Sequence, residues 1–192
     1  MGRRRLYPID PRTGTTDAAR QAACRRRKRQ AARRAQRHRA GAWTTPLALF
    51  RLLDQKFSFT LDVAAQPDNA LCARFYTPAQ DGLAQSWAVN VCWCNPPYRE
   101  VRRWVRKAAE EAQAGATVVC LLPASTDTQW WHTWVIPWAE IRFLQGRLKF
   151  SGSKTNAPFP CAVVIFRPSG GTRGVAAVPE VPHPPDDVPT VS

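Results

Sequence analysis

Between residues 89 and 122 the chain passes from an apolar strand through a proline stop into an amphipathic helix, and then into a second apolar strand. Val89 to Cys94 is apolar enough to be buried on both faces, and it runs straight into Asn95-Pro96-Pro97-Tyr98. From Arg99 to Ala114 the apolar residues Val101, Trp104, Val105, Ala108, Ala109 and Ala112 recur at the spacing of one helix face, and Gly115 stops the run. Thr117 to Leu122 is a second fully apolar strand, closed by Pro123. Two buried strands joined by a helix can lie side by side only as parallel neighbours, so the segment predicts a parallel sheet covered on both faces.

The flanking elements extend this α/β pattern. Thr44/Thr45-Pro46 opens a helix to about Asp54, with proline in the first turn. Phe57 to Asp62 alternates like a strand that ends on a carboxylate, and Arg74-Phe75-Tyr76 is a short candidate strand. A helix is expected near Thr128–Val135, and strands near Ile141–Leu144, Leu148–Phe150 and Ala162–Phe166. Ligands of such sheets bind beyond the carboxyl ends of the strands, and Asp62 and Asn95 both stand at such ends.

Charge divides the chain into three zones. Residues 1–42 hold fourteen basic residues against two acids, Asp10 and Asp17, whereas residues 43–192 hold fourteen against twelve. The arm has good helix formers from Thr16 to Arg39 but no apolar stripe to pack on a core. It reads as unstructured alone and helical when phosphates neutralise it, and as a nucleic-acid-binding segment through Arg25, Arg26, Arg27, Lys28, Arg29, Arg33 and Arg34. Residues 168–192 include six prolines and read as a flexible tail. The middle, 43–167, holds all eight tryptophans and can bury a real core. No run is long and apolar enough for a spanning helix, and Arg3-Arg4-Arg5 is not followed by the apolar segment of a secretory signal. A cytoplasmic setting is therefore expected. The six cysteines read as free thiols, three of them (Cys92, Cys94 and Cys120) in buried strands, and Cys92-Trp93-Cys94 has the wrong gap, and no partner pair, for a metal site. Oligomeric state is not legible.

Asn95-Pro96-Pro97-Tyr98 is the most specific feature. Two prolines hold the backbone extended, so the Asn95 side-chain oxygen and the Pro96 carbonyl can aim at one spot as two acceptors. A planar exocyclic amine has two N–H donors and fits that spot, while Tyr98 offers a ring on which a flipped base can stack. The plainer reading is a loop that merely stops a strand.

The chain resembles the S-adenosylmethionine-dependent amino-methyltransferases, and more closely the small phage-type DNA N6-adenine methyltransferases of the Dam group. The resemblance rests on Trp43-Thr44-Thr45-Pro46, Phe59-Thr60-Leu61-Asp62-Val63-Ala64-Ala65, Asp81-Gly82-Leu83 with Trp87, Trp93-Cys94-Asn95-Pro96-Pro97-Tyr98, Leu121-Leu122-Pro123-Ala124 and Gly146-Arg147-Leu148-Lys149-Phe150. It implies a Rossmann-like methyltransferase domain: a mostly parallel sheet, helices on both faces and an antiparallel final strand. It implies that Asn95, Pro96, Pro97 and Tyr98 hold the adenine of a DNA substrate in a bacterial host. It also implies that Thr45, Pro46, Asp62, Ala64 and Asp81 contact S-adenosylmethionine, and that Arg147 and Lys149 border the DNA cleft. Two rival functions remain open at this level: methylation of another planar amine (RNA adenine, cytosine N4 or a glutamine amide), and an inactive DNA-binding protein on the same fold. The chain departs from the broader class in having Asp62-Val63-Ala64-Ala65 where a glycine-rich loop is usual. Only 33 positions separate Asp62 from Asn95, so the sheet between them must be abbreviated.

Overall fold

The computed structural model describes residues 19–26 and 43–168, and the backbone of 174–177. Residues 19–26 are helical with exposed side chains. Ala19, Ala22 and Ala23 among Gln and Arg are strong helix formers, so this part of the arm, expected to lack structure on its own, is helical here. The rest of the basic arm lies outside the described residues.

Six strands form one sheet: β1 (Leu61–Asp62), β2 (Val91–Cys94), β3 (Thr117–Pro123), β4 (Ala139–Phe143), β5 (Cys161–Phe166) and β6 (Gly174–Ala177), in the order β1-β2-β3-β5-β4-β6. β1, β2 and β3 are parallel, β5 runs antiparallel between β3 and β4, and β6 lies parallel to β4 at the edge. The antiparallel strand is thus the one expected last, but β6 follows it, within the stretch read as a flexible tail.

Alternation along the strands makes two cores. Cys92, Cys94, Val118, Cys120, Leu122, Ala162, Val164 and Phe166 pack on one face with α2 (Val101–Gln113), whose Trp104 and Val105 each contribute about 1.5–3 kcal/mol by burial. Trp93, Val119, Leu121, Cys161, Val163 and Ile165 pack on the other face with Leu49, Phe50 and Leu53 of α1 (Leu47–Phe57). Helices therefore cover both faces, as the apolar runs require. The strand cysteines 92, 94, 120 and 161 are buried free thiols.

Several expected elements differ. The helix opened by Pro46 runs on to Phe57 and takes over that first residue of the expected strand. It ends where Ser58 turns left-handed (φ 54°) and Asp54 collects both the Ser58 N–H on its carbonyl, at 2.7 Å, and the Phe59 N–H on its carboxylate, at 2.8 Å. The Phe57/Phe59 alternation is instead a pair of stacked rings, 5.9 Å apart. β2 starts two residues late because Val89 has φ 57° and is 92% exposed. Arg74–Tyr76 makes only a parallel bridge from Phe75 to Asp62. Leu148–Phe150 joins no ladder, yet its burial alternates: Leu148 and Phe150 point inward, Arg147 and Lys149 outward. Near Thr128–Val135, five residues (Trp131–Val135) form a π-turn, with Ile136 N–H donating to the Trp131 carbonyl at 3.1 Å. The wider turn buries Trp131 and Val135 while Trp130 and Trp134 lie half-buried against the same core. Of the eight tryptophans, Trp138 is the most open, at 43% exposed.

No helix connects β1 to β2. Turns and a short 3₁₀ segment (Gly82–Ala84) cross instead, plugged by Trp87. The buried Trp87 indole donates to the Gly82 carbonyl at 2.8 Å, its backbone N–H donates to Glu111 of α2 at 2.7 Å, and its ring stacks with Trp104 at 6.0 Å. Gly82 comes so close to the turn after β1 that a Cβ there would sit 2.2 Å from the Val63 carbonyl. Trp87→Phe keeps most of the ring but removes the indole donor, leaving the Gly82 carbonyl only the long bond from the Gln85 N–H at 3.4 Å. It is expected to cost about 1–3 kcal/mol, read as a lower urea midpoint at unchanged m-value.

Candidate active site

The end of β2 carries the decisive geometry. Pro96 and Pro97 are both buried, and the Pro97 carbonyl is taken by the Glu100 N–H at 2.9 Å, which starts the turn into α2. No described group donates to the Pro96 carbonyl. The Asn95 amide nitrogen donates to the Trp43 carbonyl and, at 2.9 Å, to the Thr45 hydroxyl. A carbonyl can only accept, so the Trp43 contact dictates which end of the amide is nitrogen. The other end, Oδ1, is buried without a partner. An orphaned buried acceptor costs about 1–3 kcal/mol, a cost that a ligand donor would remove.

The segment that orients Asn95 is itself held. Ser151 N–H donates to the Thr44 carbonyl at 2.9 Å, and the Ser151 hydroxyl to the Thr45 carbonyl at 3.0 Å. The Trp43 ring packs on Phe150 at 5.0 Å and on Phe159 at 5.6 Å.

Asp62 ends β1, one strand away. It caps no helix, since none follows. Its carboxylate instead takes the Ala64 and Leu71 N–H groups, both at 3.2 Å. Burial pushes the Asp62 carboxyl up to about 6, with these two bonds pulling the other way. The structure brings the expected Thr45, Asp62, Ala64 and Asn95 together around one cleft. Trp43, Thr44, Asn69, Leu71 and Trp93 also line it. Trp43 and Thr44 stand in a quoted motif and could have been named. Asn69 and Leu71 carried no signal, because only the turn back toward β1 puts them there.

Other expected site residues stand elsewhere. Pro46 sits next to Thr45, ahead of the first turn of α1 rather than in it. Asp81 does not line this cleft. It is left-handed (φ 57°) at the head of the 3₁₀ segment, with its carbonyl bonded to Ala84. The Tyr98 ring is half-buried and lies edge-on to Phe150 and Phe159, and its hydroxyl is buried without a partner, which raises its pKa well above the usual phenol value. Arg147 and Lys149 are exposed on the outward side of the segment whose inward residues hold Trp43 and Tyr98. Arg25 and Arg26 are exposed on the helical stretch, while Arg27, Lys28, Arg29, Arg33 and Arg34 lie outside the described residues.

A rigid amide with an unused acceptor thus stands beside a buried carboxylate at adjoining strand ends. A family model described as DNA N-6-adenine-methyltransferase (Dam) matches residues 33–178. The chain belongs to the Dam family. Its relatives include the DNA N-6-adenine-methyltransferase of Haemophilus phage HP1, 31% identical over 66% of this chain and 78% of the phage protein. The protein of the same name from Escherichia phage T1 is 33% identical over 46% of this chain and 38% of its own length. A putative methyltransferase of Escherichia coli K12, YfdM, is 35% identical over 29% of this chain and 69% of its own length. In this Dam-family chain the matched region takes in the whole cleft, from Trp43 to Asn95.

The raised Asp62 pKa gives a pH signature. The folded protein holds the proton more tightly than the unfolded chain, whose ordinary carboxyl titrates near 3.8. The stabilising proton is fully bound below that value and is lost as pH rises through about 6. Above that window the ionised form carries a cost on the order of 3 kcal/mol. Stability of the free protein is therefore expected to fall from pH 4 to 6, and a Asp62→Asn variant to lose that part of the pH dependence in urea titrations. Equal slopes for both proteins would remove Asp62 as the cause.

Proposed function

We propose that the chain transfers a methyl group from S-adenosylmethionine to the N6 amine of an adenine flipped out of DNA, on a Rossmann-like methyltransferase domain in the cytoplasm of a bacterial host. The observation that carries this is the buried, unpartnered Asn95 Oδ1 on an amide whose nitrogen end is already tied. The parallel β1–β3, the antiparallel β5 and helices on both faces support the domain reading.

When bound, the cofactor supplies an electrophilic methyl group on a sulfonium. Thr45, Pro46, Asp62 and Ala64 would hold it: Thr45, Asp62 and Ala64 line one cleft, where Asp62 offers a buried carboxylate. Asp81, outside this cleft, would meet only a part of the cofactor that extends past it. Asn95 Oδ1 and the Pro96 carbonyl accept the two N–H bonds of the target amine, which turns its lone pair out of conjugation and toward the methyl. Asn95 is a neutral amide and takes no proton. The amine becomes acidic only once methylated, so water suffices. Tyr98 would meet the base with the open part of a ring whose other edge is fixed by Phe150 and Phe159.

Asn95→Ala is expected to lower single-turnover methylation of an adenine-containing duplex about 100- to 1,000-fold. Asn95→Asp keeps an acceptor but sets an oxygen against the Trp43 carbonyl, so it should fall between Ala and wild type. Wild-type rates for Asn95→Ala would sink the amine cradle. Tyr98→Phe should leave the rate intact and stability unchanged or higher, because the hydroxyl it removes has no partner.

The arm, Arg147 and Lys149 would contact phosphates rather than bases. Deleting residues 1–40 should weaken binding to every DNA sequence and flatten its salt dependence, with turnover at saturating DNA largely kept. An unchanged salt slope would assign the arm to something other than DNA.

A further inference from the structure

Asn69 lies in no quoted motif, yet it lines the cleft beside Asp62, with one end of its amide tied and the other free. Oδ1 accepts the Gln66 N–H at 2.7 Å, while the Asn69 N–H donates to the Gln66 carbonyl at 3.0 Å, closing a turn. A backbone N–H can only donate, so the atom facing it is the oxygen, and Nδ2 is left with two N–H donors and no protein acceptor among the described residues. Two positions on, the Leu71 N–H holds the Asp62 carboxylate. The Ala64 N–H, which stands where a glycine-rich loop is usual, is spent on Asp62, and so is the Leu71 N–H. A side-chain donor has to serve instead.

We infer that Asn69 is a cofactor-binding residue, whose Nδ2 donates to the carboxylate of the cofactor's amino-acid end while Asp62 faces the ammonium. A donor beside a carboxylate matches a zwitterion, one group to each charge. The inference rests on the reading of the chain as an S-adenosylmethionine-dependent enzyme. It also explains how the turn at 66–71 works without glycines: Asn69 both closes it and presents the ligand contact.

The test is calorimetric binding of S-adenosylmethionine, and of its decarboxylated analogue, to the full chain. Asn69→Asp keeps an oxygen for the Gln66 N–H but loses the donor, and Asn69→Ala removes the donor without adding charge. Both are expected to bind S-adenosylmethionine roughly 10- to 100-fold more weakly than wild type. The analogue, which lacks the carboxylate, should bind the variants about as well as it binds wild type. Unliganded melting temperatures near that of wild type would show the turn intact. Two results overturn the assignment: either variant binding S-adenosylmethionine as tightly as wild type, or both ligands weakened alike. A wild-type chain that binds neither ligand overturns the parent reading along with it.

Discussion

β2, β3 and β5 are buried on both faces, and everything else in the molecule is placed by that constraint. Because successive side chains point to opposite sides, Trp93 and its neighbours build one core while Cys92 and Cys94 build the other. A one-residue slip would exchange the two sets and leave α1 and α2 facing the wrong surfaces. The same register sets the ends of β1 and β2 side by side, with Asp62 opposite Trp93 and Asn95 just beyond. The cleft is what remains where these two strands stop and neither helix covers them.

The site keeps groups that a core optimised for stability would discard. Asp62 is ionisable and buried, and Asn95 Oδ1 is buried and unbonded. The scaffold that tolerates them is stiff: paired prolines behind Asn95, Ser151 clamping Thr44 and Thr45, and aromatic packing of Trp43 on Phe150 and Phe159. Stiffness is what makes an unused acceptor useful, since a mobile amide would rotate to find a partner. On the opposite face, the Glu111–Trp87–Gly82 contacts stand in for the crossover helix absent between β1 and β2, and they reach the turn that carries Ala64 through the close approach of Gly82 to Val63.

Local patterns predicted some elements well and others badly, for identifiable reasons. α2, β3 and β5 came from strong one-sided or continuous apolar runs that no tertiary contact had to correct. The strand read over Phe57–Asp62 holds only at its end, Leu61–Asp62, because the alternation of two phenylalanines is the same whether they lie on a strand or straddle a helix end, and the choice was made by Asp54 capturing the chain. β6 was missed because Gly174–Ala177 has no pattern of its own and becomes a strand only where the edge of β4 pairs with it.

The chain's own residues determined the strand-stop-helix unit, the pair of prolines that hold Asn95, and the separation of a basic arm from a near-neutral domain. Each depends on local sterics, on periodicity or on simple charge. Only the tertiary structure decided that the Trp43 carbonyl fixes the Asn95 amide, that the Tyr98 hydroxyl turns inward, and that Asn69 joins Asp62 in one cleft while Asp81 stays outside it. Those facts rest on contacts between residues distant in sequence, or on the path of a turn without periodic pattern. Nothing in the neighbours of Asn69 or Trp43 along the chain encodes such contacts.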